Sequence, residues 1–107
     1  MRAKGNAAET IACTFLQDSG YDIVGQNFYS RFGEIDIIAQ KNSVLHFIEV
    51  KSGKNFEPIL NITPKKIEKI IKTVDYYLET KQSNLPYVID AIIIKNGAID
   101  MVENLTI

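Results

Sequence analysis

A chain of 107 residues that is 46% hydrophobic is the size of one domain with one core, and a formal charge of −1 removes any argument for nucleic-acid binding from bulk charge. Cys13 is the sole cysteine, which excludes an internal disulfide and a multi-cysteine zinc centre and leaves it as a buried or half-buried helix residue. No apolar run is long enough to span a bilayer, and the basic start at residues 1–6 is not followed by a signal-peptide core, so the expectation is a soluble, cytoplasmic protein with no membrane partner.

The spacing of Ala8, Ile11, Ala12, Phe15 and Leu16 predicts a helix over residues 3–18, ended by Ser19-Gly20, with Gly20 suited to a left-handed turn. Glu9 falls on the flank of the apolar face, one turn from Gly5, where it can face the sheet or water. A first strand is expected over residues 21–29. Two β-branched runs follow, residues 33–39 and 44–51, joined by Lys41-Asn42-Ser43 as a hairpin. After a loop at residues 52–58, Thr63-Pro64 opens a second helix, with Thr as N-cap and Pro at the first helical position. That helix runs to about Lys81 and buries Ile67, Ile70, Ile71, Val74 and Leu78. Residues 83–86 break the chain. A nearly all-apolar strand over residues 87–95 is expected to be buried on both faces. Asn96-Gly97 signals a hairpin to a short edge strand at residues 98–102. The order αβββαββ predicts a single α/β domain, a mixed sheet flanked by helices.

The hairpin carries the chemistry. Asp36, Glu49 and Lys51 sit inside apolar runs, and such groups avoid the interior unless paired or bound to a metal. A two-residue turn at Asn42-Ser43 sets Lys41 opposite Val44, hence Asp36 opposite Glu49 and Glu34 opposite Lys51; a four-residue loop keeps that register, and a three-residue loop would send the two carboxylates to opposite faces. In the even register their Cβ atoms lie roughly 4.5–5.5 Å apart, with Lys51 on the same face. Two bare carboxylates that close repel by about 1–4 kcal/mol, and a Mg²⁺ ion (or Mn²⁺) cancels that repulsion. His46, the only histidine, points with Ile48 and Val50 to the other face, in a structural role.

Residues 51–72 hold six lysines against Glu57 and Glu68, a net of +4 that leaves −5 for the rest. Such a strip beside an acidic cluster suits a protein that grips phosphates in one place and holds metal in another, with Lys54, Lys65, Lys66 and Lys69 as candidate phosphate contacts and Arg31 as a further loop cation. By itself the strip also reads as a solvated helix face.

Asp36 followed by Glu49-Val50-Lys51 resembles the PD-(D/E)XK nuclease superfamily, whose members include Holliday-junction resolvases and restriction endonucleases. The fuller pattern looks like the bacterial YraN family of nuclease-like proteins: Gly5 with Glu9, Gly20-Tyr21, Asn27, Gly33-Glu34-Ile35-Asp36-Ile37-Ile38-Ala39, Phe47-Ile48-Glu49-Val50-Lys51, Thr63-Pro64-Lys65-Lys66 and the late Asp90. The resemblance spans nearly the whole chain and implies a restriction-endonuclease-like fold. It also implies Asp36 and Glu49 as metal ligands, Lys51 as the catalytic lysine, Glu9 as a first-helix acid near the metal, and Lys66 and Tyr76 on a substrate-facing helix. Ala8 stands where the family usually has Gly, Gly53 near a common Arg, and Val88-Ile89-Asp90 lacks an Arg that often precedes this Asp; the last two departures remove positive charge from the substrate side.

The reading that follows is metal-dependent hydrolysis of a DNA phosphodiester, leaving a 5′-phosphate, with Lys51 assisting the attacking water and no histidine base. A homodimer would give a duplex a second basic strip. Three other readings exist: an accessory that keeps the fold and binds or processes nucleic acid without turnover, a glycosidase-like use of the carboxylate pair, and an interaction scaffold. The glycosidase reading lacks a tryptophan platform and leaves Lys51 without a task. The plainest reading of the triad is a charge network in which Lys51 bridges Glu34 and Glu49.

Overall fold

Residues 7–54 and 58–106 are described in the computed structural model, the side chains of 58 and 59 excepted. Helix α1 (Ala7–Asp18) is followed by strands β1 (Asp22–Ser30), β2 (Gly33–Lys41) and β3 (Val44–Gly53). A 3-10 turn (Pro58–Asn61) leads into helix α2 (Pro64–Lys81), then strands β4 (Tyr87–Lys95) and β5 (Ala98–Val102). The expected start of the first helix, with Gly5, lies outside the described residues.

The five strands form one sheet in the order β1-β2-β3-β4-β5. Every neighbouring pair is antiparallel except β3 and β4, which run parallel because α2 carries the chain back across the sheet. The two helices cover opposite faces. On one, Ala12 and Leu16 of α1 pack on Tyr21, Ile37, Ala39, Ile48, Ile92 and Ile94. On the other, Ile70, Val74 and Tyr77 of α2 pack on Ile35, Ile38, Leu45, Phe47 and Ile89. Strand β4 lies between both layers, and Ile89 through Ile94 are all buried, as a continuous apolar run requires. The mixed α/β architecture expected from the element order is the one observed.

Local chemistry explains where the elements stop. Gly20, at φ +91, closes α1: its amide reaches the Gln17 carbonyl and the Tyr21 amide reaches the Leu16 carbonyl at 2.9 Å, while the Tyr21 and Leu16 side chains join one cluster. Thr63 caps α2, its hydroxyl accepting the Lys66 amide at 3.2 Å, with Pro64 opening the helix. Asn42 and Ser43 (φ 53 and 63) turn the β2–β3 hairpin and Asn96 and Gly97 (φ 52 and 83) the β4–β5 hairpin with left-handed residue pairs, whose twist matches that of the strands.

The turn at Asn42-Ser43 fixes the β2–β3 register: Lys41 pairs with Val44, Gln40 with Leu45, and so on to Ile37 with Ile48. There the ladder ends, one pair short of Asp36 and Glu49. The sheet is irregular at this level. Ile37 joins the α1 layer and Ile35 the α2 layer, although residues two apart in a regular strand share a face. Across from Asp36, Asn27 of β1 takes a left-handed φ of 50 between the pairs Gln26–Ile37 and Phe28–Ile35. A bulge between Ile23 and Gly25 places an extra residue in the same strand. The distortion sits where β2 and β3 part, and the candidate site lies in that fork.

Candidate functional site

Asp36 is buried, and its Oδ2 accepts the Val50 amide at 2.8 Å. The carboxylate thereby takes the place of the next backbone acceptor, which the end of the ladder has removed. Its neighbour is Glu49, whose carboxyl donates a hydrogen bond to it. Burial, then the charge of Asp36, push the Glu49 carboxyl up to about 7, against the pull of Lys51, whose Nζ lies 3.5 Å from Glu49 Oε2. Asp36 is raised as well, first by burial and less by Glu9 and Glu34, while the Val50 amide and Glu49 act the other way. Burial thus pushes both carboxyls toward the protonated form, a cost that a cation between them would relieve.

Glu9 faces the sheet and is only 3% exposed. It is held there by Asn27, whose Nδ2 donates to Glu9 Oε1 at 3.1 Å and to Glu34 Oε2 at 2.9 Å. The left-handed backbone at Asn27 aims this amide at both carboxylates from the strand opposite Asp36. Four acids, from α1, β2 and β3, thus converge on the fork, with Lys51 at its edge.

The donor chemistry suits a hard divalent ion: carboxylate oxygens and room for water. Among the described residues, however, no three His, Cys, Asp or Glu side chains close into a ready-made cage. Asp36 and Glu49 are the pair in direct contact, and Glu9 and Glu34 are tied to Asn27, so the set fits an ion that keeps part of its hydration shell.

The basic residues are distributed over three clefts. Lys66 and Lys69 of α2 line a small cleft of about 130 Å³ with Phe32, Gly33, Glu34, Glu49 and Ile70, which brings two of the expected cations beside the acids. Arg31 lines a wider neighbouring cleft with Lys72 and Tyr76. Lys54 lines a third, with Ser52, Gly53, Ile94, Asn96 and Gly97 at the far end of β3. Lys65 is exposed on α2 and lines none of these three.

On the other sheet face, the His46 ring packs edge-on against Tyr21 at 4.9 Å between centroids, and its Nδ1 lies 2.7 Å from Asp90 Oδ2. The other Asp90 oxygen accepts the Asn104 amide at 2.8 Å. His46 thus sits on the face its register implies, in contact with Tyr21 and Asp90. Asp90 ties the tail after β5 to the sheet and belongs to a different polar cluster from Asp36.

The model of the uncharacterised protein family UPF0102 matches residues 8–94, a span that includes Glu9, Asp36, Glu49, Lys51 and Asp90. The chain belongs to that family. It is the YraN family that the motif pattern resembles. Among curated relatives, a UPF0102 protein of Wolinella succinogenes is 58% identical over 106 residues, covering 99% of this chain and 98% of the relative. One from Helicobacter hepaticus is 54% identical over 106 residues (99% and 96%), and one from Helicobacter pylori strain HPAG1 is 57% identical over 105 residues (98% and 92%).

Two residues of this UPF0102 site were not assigned roles on chemical grounds from sequence. Asn27 reads as an ordinary strand residue, and its role depends on a left-handed φ that local pattern does not announce. Phe32, beside Arg31, reads as a loop aromatic, yet it forms a wall of both clefts next to α2. A signal was available for Asn27, since asparagine tolerates the left-handed region better than other non-glycine residues.

Proposed function

We propose that this UPF0102 protein is a metal-dependent nuclease of the PD-(D/E)XK type acting on DNA, with Asp36 and Glu49 as ligands for Mg²⁺ or Mn²⁺ and Lys51 as the catalytic lysine. The observation that carries the reading is the adjacency of buried Asp36 and half-buried Glu49, with Lys51 3.5 Å from Glu49 and Lys66 and Lys69 lining the cleft that Glu49 also lines. Two carboxyls in contact, one of them buried, with a lysine beside them suit a cation site.

A divalent ion held by the pair supplies charge neutralisation at a phosphodiester oxygen and a lowered pKa for a water. Asp36 keeps its Val50 hydrogen bond and presents its remaining oxygen to the fork. Glu49, whose carboxyl burial and Asp36 push up, would be held by the ion as a carboxylate. Lys51 orients the attacking water and stabilises negative charge developing on phosphorus oxygens. Lys66 and Lys69 anchor flanking phosphates, and Asn27 holds Glu9 and Glu34 in place around the ligands.

One observation favours a second reading, a DNA-binding or processing accessory without turnover: no three acids close into a cage among the described residues. Titration calorimetry of Mg²⁺ and Mn²⁺ into wild type and Asp36→Asn, with nicking and junction-cleavage assays on the same samples, separates the two. Binding and cleavage in the wild type, both lost in Asp36→Asn, are the expected result. Absence of metal binding in the wild type would overturn the nuclease reading, and metal-free DNA binding would then support the accessory.

A further inference from the structure

We propose that the wide cleft between α2 and the β1–β2 turn holds an unpaired nucleobase beside a phosphate anchored by Lys66 and Lys69, so that the substrate is a nucleic acid with a single-stranded segment at that point. This rests on the nucleic-acid reading above and names the substrate class it left open.

The cleft has a volume of about 700 Å³ and is lined by Arg31, Phe32, Lys72, Asp75, Tyr76 and Glu79. Pockets of this size hold a small organic group, and a base must leave the stack to fill one, at least cost where it is already unpaired. Phe32 forms a wall of this cleft and of the smaller one at Glu49, so one strand can pass from the carboxylates over Phe32 into the wider space.

The two ends differ in chemistry. At the Phe32 end, the Arg31 guanidinium lies 4.9 Å and the Lys72 ammonium 5.6 Å from the ring centroid, a cationic surround suited to a phosphate. Further along α2, Asp75 and Glu79 repel phosphate and accept hydrogen bonds from the amino edge of a base. Tyr76 between them is 47% exposed, with its ring steadied by Phe28 at 6.0 Å, which makes a flat platform for stacking.

Hydrogen bonds join the two walls of the cleft. The Ser30 hydroxyl accepts the Phe32 amide at 3.0 Å and meets the Thr73 hydroxyl of α2 at 3.0 Å, while Thr73 donates back to the Lys69 carbonyl at 3.0 Å. The turn carrying Arg31 and Phe32 is thereby fastened to the helix carrying Lys72 and Tyr76.

The test is fluorescence anisotropy on the full chain with Ca²⁺ in place of Mg²⁺, comparing a blunt duplex, the same duplex with a short single-stranded tail, and a tail carrying an abasic site at the junction. The tail is expected to tighten binding about tenfold, the abasic site and Tyr76→Ala each to remove that gain, and Tyr76→Phe to keep it. Equal binding of blunt and tailed duplexes, or a gain that survives both the abasic site and Tyr76→Ala, overturns the proposal. Displacement of the tailed duplex by submillimolar dAMP overturns it in favour of a free nucleotide site. Failure to bind any of these nucleic acids overturns both the proposal and the reading beneath it. Tail preference without cleavage in Mg²⁺ supports the proposal while removing the nuclease; cleavage without tail preference does the reverse.

Discussion

Asp36 and Asp90 are both buried aspartates on central strands of one sheet, and they resolve their burial in opposite ways. Asp90 has a partner on each oxygen, the His46 ring and the Asn104 amide. Its charge is satisfied within the chain. Asp36 has one backbone donor and then meets Glu49, Glu9 and Glu34. The ammonium beside the Asp36–Glu49 pair, that of Lys51, lies 3.5 Å from Glu49. A buried acid with its own donors serves the fold, whereas carboxyls gathered as Asp36, Glu49, Glu9 and Glu34 are mark a candidate functional site.

The largest expected effect separates the two directly. Asp36→Asn should cut cleavage at least about a thousandfold, the several kcal/mol that a metal contributes to such a barrier, while leaving the thermal midpoint unchanged or raised because a charge has left the cluster. Asp90→Ala should do the converse. Loss of both contacts at a fully buried site should cost about 2–4 kcal/mol in urea unfolding, with turnover per folded molecule unchanged. If Asp90→Ala removed activity at full stability, the distinction would collapse.

A pH titration sharpens the comparison. The Glu49 carboxyl lies at about 7 in the fold against an ordinary 4.5. Between these values the native chain binds more protons than the unfolded chain, so stability falls as pH rises through that window, by about 1–3 kcal/mol. Chemical unfolding in EDTA at pH 5 and pH 8 measures this, and Glu49→Gln should flatten the slope. Mg²⁺ should stabilise the protein more at pH 8 than at pH 5, because the ion competes with the proton. The smallest effect is a control away from both acids: Thr63→Ala should cost about 1 kcal/mol through the lost cap of α2, with metal affinity untouched.

Much of this was legible in the sequence because the relevant rules are local. Asn42-Ser43 specifies a left-handed two-residue turn, and that turn alone sets which residues of β2 and β3 meet. Thr63-Pro64, Gly20 and Asn96-Gly97 mark element ends for the same reason, and the bounds of β4 and β5 follow from their apolar run and turn. The ladder's early end was not legible, since it arises where β1, β2 and β3 diverge together. Nor was the partner of Asp90, because the Asn104 amide reaches it only after β5 has folded back. Lys54 and Lys66 look alike on a charge plot, yet the sheet puts one at the far end of β3 and the other beside Glu49.

The single parallel pairing also has a kinetic consequence. The β1–β2 and β2–β3 hairpins need only a short search along the chain, whereas Leu45 must find Tyr87 across the whole α2 crossover. Pairings that close long loops form late and slowly. Asp36, Glu49 and Lys51 all lie on the early side of that divide. Refolding is therefore expected to bring the acids together before β4 docks, so that their mutual repulsion weighs on the folding rate and a divalent ion, by relieving it, speeds folding more than it slows unfolding.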